Sequence, residues 1–182
     1  FSDYRHGIFN PNTIPYLIDC IPDGAFKVAD SQVASRWGNI LQFQGFDLIT
    51  PNEREARFAL GDQDSVVRPL ALNLYRKANC KYLMMTMGEK GVMVYRPIEG
   101  KDERAVFSID SFADKVVDAV GAGDAFLSYA TLALLTSGSE TAASILGSFA
   151  AALATEREGN NPIDPKAVLE KVNSIEKISS FD

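Results

Sequence analysis

The sequence is poor in the residues that hold metals or form disulfides, with two cysteines and one histidine among 182 residues. Cys20 and Cys80 lack the short spacing of a metal site, so we expect two buried, reduced thiols. Basic residues are outnumbered by acidic ones, with 18 Lys and Arg against 24 Asp and Glu. No basic cluster offsets the net charge of −6, which argues against a nucleic-acid-binding surface.

Long apolar runs and a signal-peptide pattern are missing as well. No run reaches the length that spans a bilayer, so we expect a cytoplasmic protein without a membrane partner. The 46% hydrophobic and 23% charged residues are typical of a globular protein. The length suits a single domain, residues 1–182, with a substantial core.

Strand-like and helix-like segments alternate along the chain. Short apolar runs predict strands at 26–29, 46–49, 82–86, 91–95 and 106–109. Helical spacing predicts helices at 13–20, 52–60, 66–78, 122–135, 140–155 and 165–175. The pattern at 31–44 is ambiguous and includes a helical turn around Trp37. The alternation predicts the α/β class, a mostly parallel sheet with helices on both faces.

The most informative stretch joins a strand-like run, 115–117, to a helix-like run, 125–135. Between them stand the small residues Gly121, Ala122 and Gly123, followed by Asp124. Small residues let the backbone approach a ligand, and the first N–H groups of a helix favour an anion. A carboxylate beside such an anion is suited to receive the proton of an attacking hydroxyl. The stretch therefore predicts phosphoryl transfer, although a tight packing turn with Asp124 as a helix cap remains the alternative.

Two further segments carry polar residues just past a predicted strand. Asn52 and Glu55 are three residues apart, so they share one face of a helix at its first turn. The same two residues could instead form a capping box, which would give them a structural role at the start of the helix. Thr86 and Gly88 end the next strand and could meet phosphates, or could form an ordinary turn between two strands.

Ligands of parallel sheets bind beyond the carboxyl ends of the strands. Asn52, Thr86 and Asp124 each follow a predicted strand, so we expect the three segments to lie at one edge of the sheet.

The three segments together resemble the signature motifs of the ribokinase/PfkB carbohydrate kinases. The resemblance rests on Asp118-x-x-Gly121-Ala122-Gly123-Asp124, on Asn52-x-x-Glu55 and on Thr86-x-Gly88. Ser2-Asp3-Tyr4 followed by Gly7 is similar to the heptose-phosphate kinase branch. The resemblance implies a ribokinase-like fold in which this chain is the C-terminal part, without the N-terminal strands and the lid.

The resemblance also implies roles for the residues of the Asp118–Asp124 motif. Asp124 would act as general base, and the backbone N–H groups of Gly121, Ala122 and Gly123 would hold the phosphoryl oxygens. Asp118 and the carbonyl of Val120 would bind a monovalent cation such as potassium.

Residues elsewhere would serve the nucleotide. Asn52 and Glu55 would organise Mg²⁺, mainly through water, and Thr86 with Gly88 would contact the phosphates of ATP. Gly159 and Asn160 would border the adenine.

The implied acceptor is the hydroxyl of a sugar or a sugar phosphate, and the intact protein would be a homodimer. Two alternatives remain open: a non-catalytic module that binds a nucleotide or anion, and a kinase for a nucleoside or a vitamin alcohol.

Overall fold

A six-stranded sheet forms the centre of residues 1–108, the first of two compact units. The computed structural model describes residues 1–32, 40–98 and 104–179, and the second unit comprises residues 109–182. The strands are β1 (Ser2–Asp3), β2 (Val28–Ser31), β3 (Leu48–Ile49), β4 (Tyr82–Thr86), β5 (Val92–Pro97) and β6 (Arg104–Ile109). The single domain expected from length stays a prediction.

The strands follow one another across the sheet in chain order. Strands β1 to β4 pair in parallel, and β4 pairs with β5 in antiparallel fashion. The register aligns Ala29 with Ile49 and Ile49 with Leu83, and all three side chains are fully buried. Because parallel strands point the same way, β1 to β4 end at one edge, which we name the carboxyl edge. The predicted α/β class with a mostly parallel sheet is confirmed.

Three helices accompany this sheet: α1 (Thr13–Asp19), α2 (Glu53–Leu60) and α3 (Val67–Ala78). Helix α2 ends at Gly61, which adopts φ 64° as a left-handed cap. Helix α3 buries Leu70, Leu74 and Ala78 because their four-residue spacing places them on one face. The apolar core of the first unit thus comes from sheet residues and from helical stripes that the sequence already displays.

The second unit contains α4 (Ala122–Ser137), α5 (Glu140–Thr155) and α6 (Pro165–Ser179). Gly138 ends α4 with φ 66°, and the Ser139 hydroxyl caps α5 by accepting from the Ala142 N–H. Only two residues separate the helices, a connection typical of an antiparallel helix pair. A Cβ built on Gly147 would lie 3.0 Å from the ring of Phe126, so the absence of a side chain permits the close approach of α5 to α4.

One predicted element is wrong, and so is the predicted burial of Cys20, which is exposed, whereas Cys80 is buried as expected. The run 115–117 is not a strand but part of an irregular loop. The N–H groups of Val117 and Asp118 both donate to the carbonyl of Thr155, at 2.7 and 3.1 Å, so the loop bonds to the end of α5 instead of a neighbouring strand. The expected helical turn around Trp37 lies outside the described residues. Within the described ranges, no helix is both long and apolar enough to cross a membrane.

Candidate functional site

The segments that contain Asn52 and Thr86 lie next to each other at the carboxyl edge. Asn52 forms an isolated parallel bridge with Thr86, and the Thr86 N–H donates to the Pro51 carbonyl at 3.0 Å. Pro51 is suited to this exit from β3 because it fixes φ and needs no hydrogen-bond acceptor for its own nitrogen. The structure therefore brings together two of the three segments that the sequence singled out.

Asn52 and Glu55 form a capping box at the start of α2. The Asn52 carboxamide accepts from the Glu55 N–H at 2.9 Å, and Glu55 Oε2 accepts from the Asn52 N–H at 2.7 Å. Asn52 is exposed and Glu55 is buried. The capping box that the sequence left open as an alternative is thus present, and the magnesium role of these residues stays a prediction.

Thr86 and Gly88 open the turn between β4 and β5. Gly88 is exposed with φ 61°, its carbonyl accepts from the Gly91 N–H at 2.9 Å, and the Met87 N–H donates to the Gly91 carbonyl at 2.8 Å. The turn is therefore held by its own backbone. Nucleotide contacts at Thr86 and Gly88 stay a prediction.

A buried ion pair that the sequence reasoning missed lies at the ends of β1 and β2. Arg5 Nη1 is 2.9 Å from Asp3 Oδ2, and their side chains are only 6% and 1% exposed. Arg5 Nε donates to the Gln32 carbonyl at 2.9 Å, and Nη2 donates to the Ser31 hydroxyl. The guanidinium thereby joins the carboxyl ends of two adjacent strands.

Arg5 reaches this position through an uncommon backbone conformation, with φ 63° in the left-handed region. Its own N–H donates to Asp3 Oδ1 at 2.8 Å, which stabilises the turn. Burial lowers the pKa of Arg5, and the carboxylates of Asp3 and Glu55 oppose that change. The one available sequence signal was a basic residue two positions after an acidic one at the end of a strand.

The second unit places the small-residue turn at the start of α4. Gly121 is the N-cap with φ 81°, and no side chain caps the helix there. Gly123 is exposed, and Asp124 is half-buried in the first helical turn. The first N–H groups of a helix have no partner within it, but the Ala122 N–H donates to the Ala119 carbonyl at 3.3 Å. The N–H of the exposed Gly123 is therefore the donor of this turn that an anion could reach.

Asp118 connects this turn to the loop after α5. Its Oδ1 accepts from the Val120 N–H at 3.0 Å, and its Oδ2 accepts from the Gly159 N–H at 3.1 Å. These two hydrogen bonds lower the pKa of Asp118. The predicted residues Asp118, Val120 and Gly159 are therefore adjacent, although Asp118 follows a loop and not the expected strand.

Asn160 lies directly against Gly121. A Cβ built on Gly121 would be 2.2 Å from Asn160 Oδ1, closer than any real contact. The positive φ favours glycine at position 121, and a Cβ there would force the Asn160 side chain to move. The turn and the 156–161 loop thus form one local site in the second unit.

The family model for pfkB family carbohydrate kinase matches residues 17–167. The chain belongs to this family. It is 26% identical over 175 residues to the bifunctional protein HldE of Pelobacter propionicus, an alignment that covers 94% of this chain and 34% of that protein. The chain therefore spans about a third of the length of this curated relative.

Solved structures show the same fold. The ribokinase of Thermotoga maritima matches with a TM-score of 0.70 and 24% identity, over 88% of this chain and 52% of that one. Phosphofructokinase-2 of Escherichia coli in complex with potassium matches with a TM-score of 0.73 and 18% identity, over 92% and 53%. The predicted ribokinase-like architecture and the family membership are confirmed.

Proposed function

We propose that this chain is the nucleotide-binding and catalytic part of a kinase that transfers the γ-phosphoryl group of ATP to a hydroxyl of a sugar or sugar phosphate. Membership in the carbohydrate kinase family supports this proposal. The single observation that carries it is the start of α4, where a glycine N-cap leaves the helix without a side-chain cap.

The turn at Gly121, Ala122 and Gly123 supplies the stabilising donors in this proposal. Backbone N–H groups at a helix N-terminus are fixed in place, so they stabilise charge on the transferring phosphoryl oxygens without reorganising. Gly123 is exposed, so its backbone is accessible to a ligand.

Asp124 is the proposed general base. It lies in the first turn of α4, immediately after the proposed phosphoryl-binding residues. Phosphoryl transfer passes through a loose transition state, so the base orients the acceptor hydroxyl first and takes its proton late.

Magnesium fits the residues at the carboxyl edge. Among the residues that the structure describes, no group of three or more His, Cys, Asp or Glu side chains could hold a metal ion. Mg²⁺ that keeps its waters and binds phosphates needs only one or two protein carboxylates. One oxygen each of Glu55 and Asn52 accepts a backbone N–H in the capping box, so these two residues would hold the ion mainly through water. Bound there, Mg²⁺ would neutralise charge on the ATP phosphates. Thr86 and Gly88 would contact those phosphates.

The adenine would border Gly159 and Asn160, which lie beside the turn. A monovalent cation fits less well, because both carboxylate oxygens of Asp118 already accept backbone N–H groups. The Val120 carbonyl would be its remaining donor from the predicted set. No step of the proposed reaction depends on this cation.

The proposed acceptor is a sugar or a sugar phosphate, which the family supports. The resemblance of Ser2-Asp3-Tyr4 with Gly7 to heptose-phosphate kinases is the argument for a sugar phosphate. Tyr4 and Gly7 are exposed beyond the end of β1, which supports a role for this segment in acceptor binding. A homodimer of the intact protein belongs to the same proposal.

The test uses the complete gene product. Calorimetry measures Mg–ATP binding, and a coupled assay measures ADP formation with a panel of sugars, sugar phosphates, nucleosides and vitamin alcohols. We expect transfer to a sugar or sugar phosphate. Binding without transfer to any acceptor would instead support a nucleotide-binding module, and preferred transfer to a nucleoside or vitamin alcohol would replace the acceptor class.

Asp124→Asn tests the base. We expect this variant to keep Mg–ATP affinity and to lose about 10²- to 10⁴-fold in kcat, the usual contribution of acid–base catalysis. Asp114→Asn is the matched control, because the Asp114 side chain is 91% exposed. Near-normal turnover of Asp124→Asn would remove Asp124 from the role.

A further inference from the structure

One carboxylate ties together two loops that are distant in sequence. Asp118 precedes α4 and bonds to Val120 on its own loop through Oδ1, at 3.0 Å. Through Oδ2 it bonds to Gly159, which follows α5, at 3.1 Å. Each carboxylate oxygen thus holds the backbone of a different loop.

The segment that Asp118 holds is the one that covers Gly121. Gly159 is followed by Asn160, whose carboxamide leaves no space for a Cβ at position 121. Gly159 has φ 76°, so the chain turns sharply at the residue that Asp118 binds. The hydrogen bond to Asp118 is thus made one residue before the side chain that lies against the turn. Asn161 adds hydrogen bonds to Gly159 and Glu158 within the loop itself.

The base of the same loop is fixed by other contacts. Tyr129 Oη donates to the Ile163 carbonyl at 2.8 Å, and Lys171 Nζ lies 2.6 Å from Glu156 Oε1. These contacts hold the two ends of the segment that contains Gly159. The bond from Asp118 differs from them, because it links the tip of the loop to the turn before α4.

We propose that Asp118 is a positioning residue that sets the geometry of the Gly121–Asp124 turn by seating Gly159 and Asn160 against it. This inference rests on the proposed function, since the turn is where the phosphoryl group would bind. It assigns both oxygens of Asp118 to protein N–H groups, a task distinct from the monovalent-cation role that the family resemblance implies. Asp118 acts through Gly159 and Asn160 and does not touch the substrate.

The first experiment measures amide hydrogen exchange in the complete gene product and in Asp118→Asn. The substituted side chain turns an N–H donor toward one of the two backbone N–H groups, so one hydrogen bond is lost. We expect exchange at Val120, at Gly159 or at both to accelerate about tenfold, the effect of one lost hydrogen bond to a charged group. Asp23→Asn, at an exposed carboxylate in the first unit, should leave both amides unchanged. Unchanged exchange in Asp118→Asn would overturn the proposal.

The second experiment separates positioning from general stability. We expect Asp118→Asn to reduce kcat about tenfold or more, because small displacements of positioning groups are costly, with a smaller change in KM for Mg–ATP. Thermal unfolding should shift little, since the Asp118 side chain lies at the surface of the second unit. A loss of kcat that merely follows a lowered unfolding midpoint would contradict a positioning role.

A double-mutant cycle then tests whether Asp118 acts through Asn160. If it does, Asp118→Asn costs less in kcat when Asn160 is already replaced in Asn160→Ala. Fully multiplicative effects of the two substitutions would overturn the proposed route. If the unmodified protein transfers no phosphoryl group, the proposed function is wrong. The amide exchange rates and the Mg–ATP affinity of Asp118→Asn would then test, independently of transfer, whether Asp118 positions the turn.

Discussion

The N-termini of α2 and α4 differ in how side chains satisfy their first backbone N–H groups. Both helices begin with N–H groups that lack partners within the helix. At α2, Asn52 and Glu55 satisfy them reciprocally, with hydrogen bonds of 2.9 and 2.7 Å. At α4, the N-cap is Gly121 and no side chain caps the helix.

The difference shows how a helix end becomes available to a ligand. A capping box uses these groups for stability, so at the start of α2 the Glu55 N–H and one oxygen each of Asn52 and Glu55 are engaged within the protein. A glycine N-cap gives up about a few tenths of a kcal/mol of that stability and places no side chain over the first N–H groups, of which the Ala122 N–H donates to the Ala119 carbonyl. In the proposed function, accordingly, residues at the start of α2 bind the metal and those at the start of α4 bind the phosphoryl group.

The largest effect in this comparison is expected from Gly121→Ala. The new Cβ would overlap Asn160 Oδ1 at 2.2 Å and would strain a residue with φ 81°. We expect phosphoryl transfer to fall about 10²-fold or more, because the donors of the turn are displaced.

Gly138→Ala is the matched control for Gly121→Ala, since Gly138 caps the other end of α4 with φ 66° and open space around its Cβ position. It should cost about 1–2 kcal/mol of unfolding free energy and leave transfer rates unchanged. Chemical denaturation measures the free energy of unfolding, and the coupled assay measures the transfer rate. Equal losses of transfer in the two variants would mean that the α4 start has no special role.

A second pair of variants separates capping from metal binding at α2. Asn52→Ala removes a cap and should lower the free energy of unfolding by about 1 kcal/mol. Glu55→Gln keeps an oxygen that can accept the Asn52 N–H, so stability should change less. Because the carboxylate is lost, the Mg²⁺ concentration for half-maximal activity should rise about tenfold. An unchanged Mg²⁺ requirement in Glu55→Gln would reduce Glu55 to a helix cap.

The smallest effect concerns pH. Hydrogen bonds from Val120 and Gly159 hold the pKa of Asp118 below its ordinary value of 3.8. The folded state therefore binds its proton less readily than the unfolded state, so the stabilisation is present above that value and is lost as pH falls through the lower folded pKa. Between about pH 5 and pH 2, the native protein should lose slightly more stability than Asp118→Asn. Denaturant unfolding measures the free energy of unfolding of the two proteins at each pH. If that free energy fell equally with pH in both, the linkage would be contradicted.

Much of the fold was predictable because local signals were strong. Helix α5 occupies Glu140–Thr155, and β4 occupies Tyr82–Thr86, as predicted. The polar residue before α5 and the continuous apolar run of β4 mark these elements without reference to distant residues. The helix at 52–60 and its glycine stop were likewise visible, since capping residues act within one turn.

Two features were not predictable from the pattern. The apolar run 115–117 resembles a buried strand, yet its backbone bonds to Thr155, and Val116 and Val117 are 57% and 47% exposed. Arg5 gave no sign of burial, because arginine is usually exposed unless a partner receives it. Its partners Ser31 and Gln32 lie at and just beyond the end of β2, and only the sheet brings them near.

The sequence alone determined most of the order of strands and helices, the glycine turn before α4 and the family of the chain, because these depend on short-range chemistry and on motif spacing. The tertiary structure alone decided that Asn160 covers Gly121, that Asp118 joins two loops and that Arg5 is buried. Such contacts join residues far apart in the chain, and hydrogen bonds between them form only once packing has fixed the distance between their backbones.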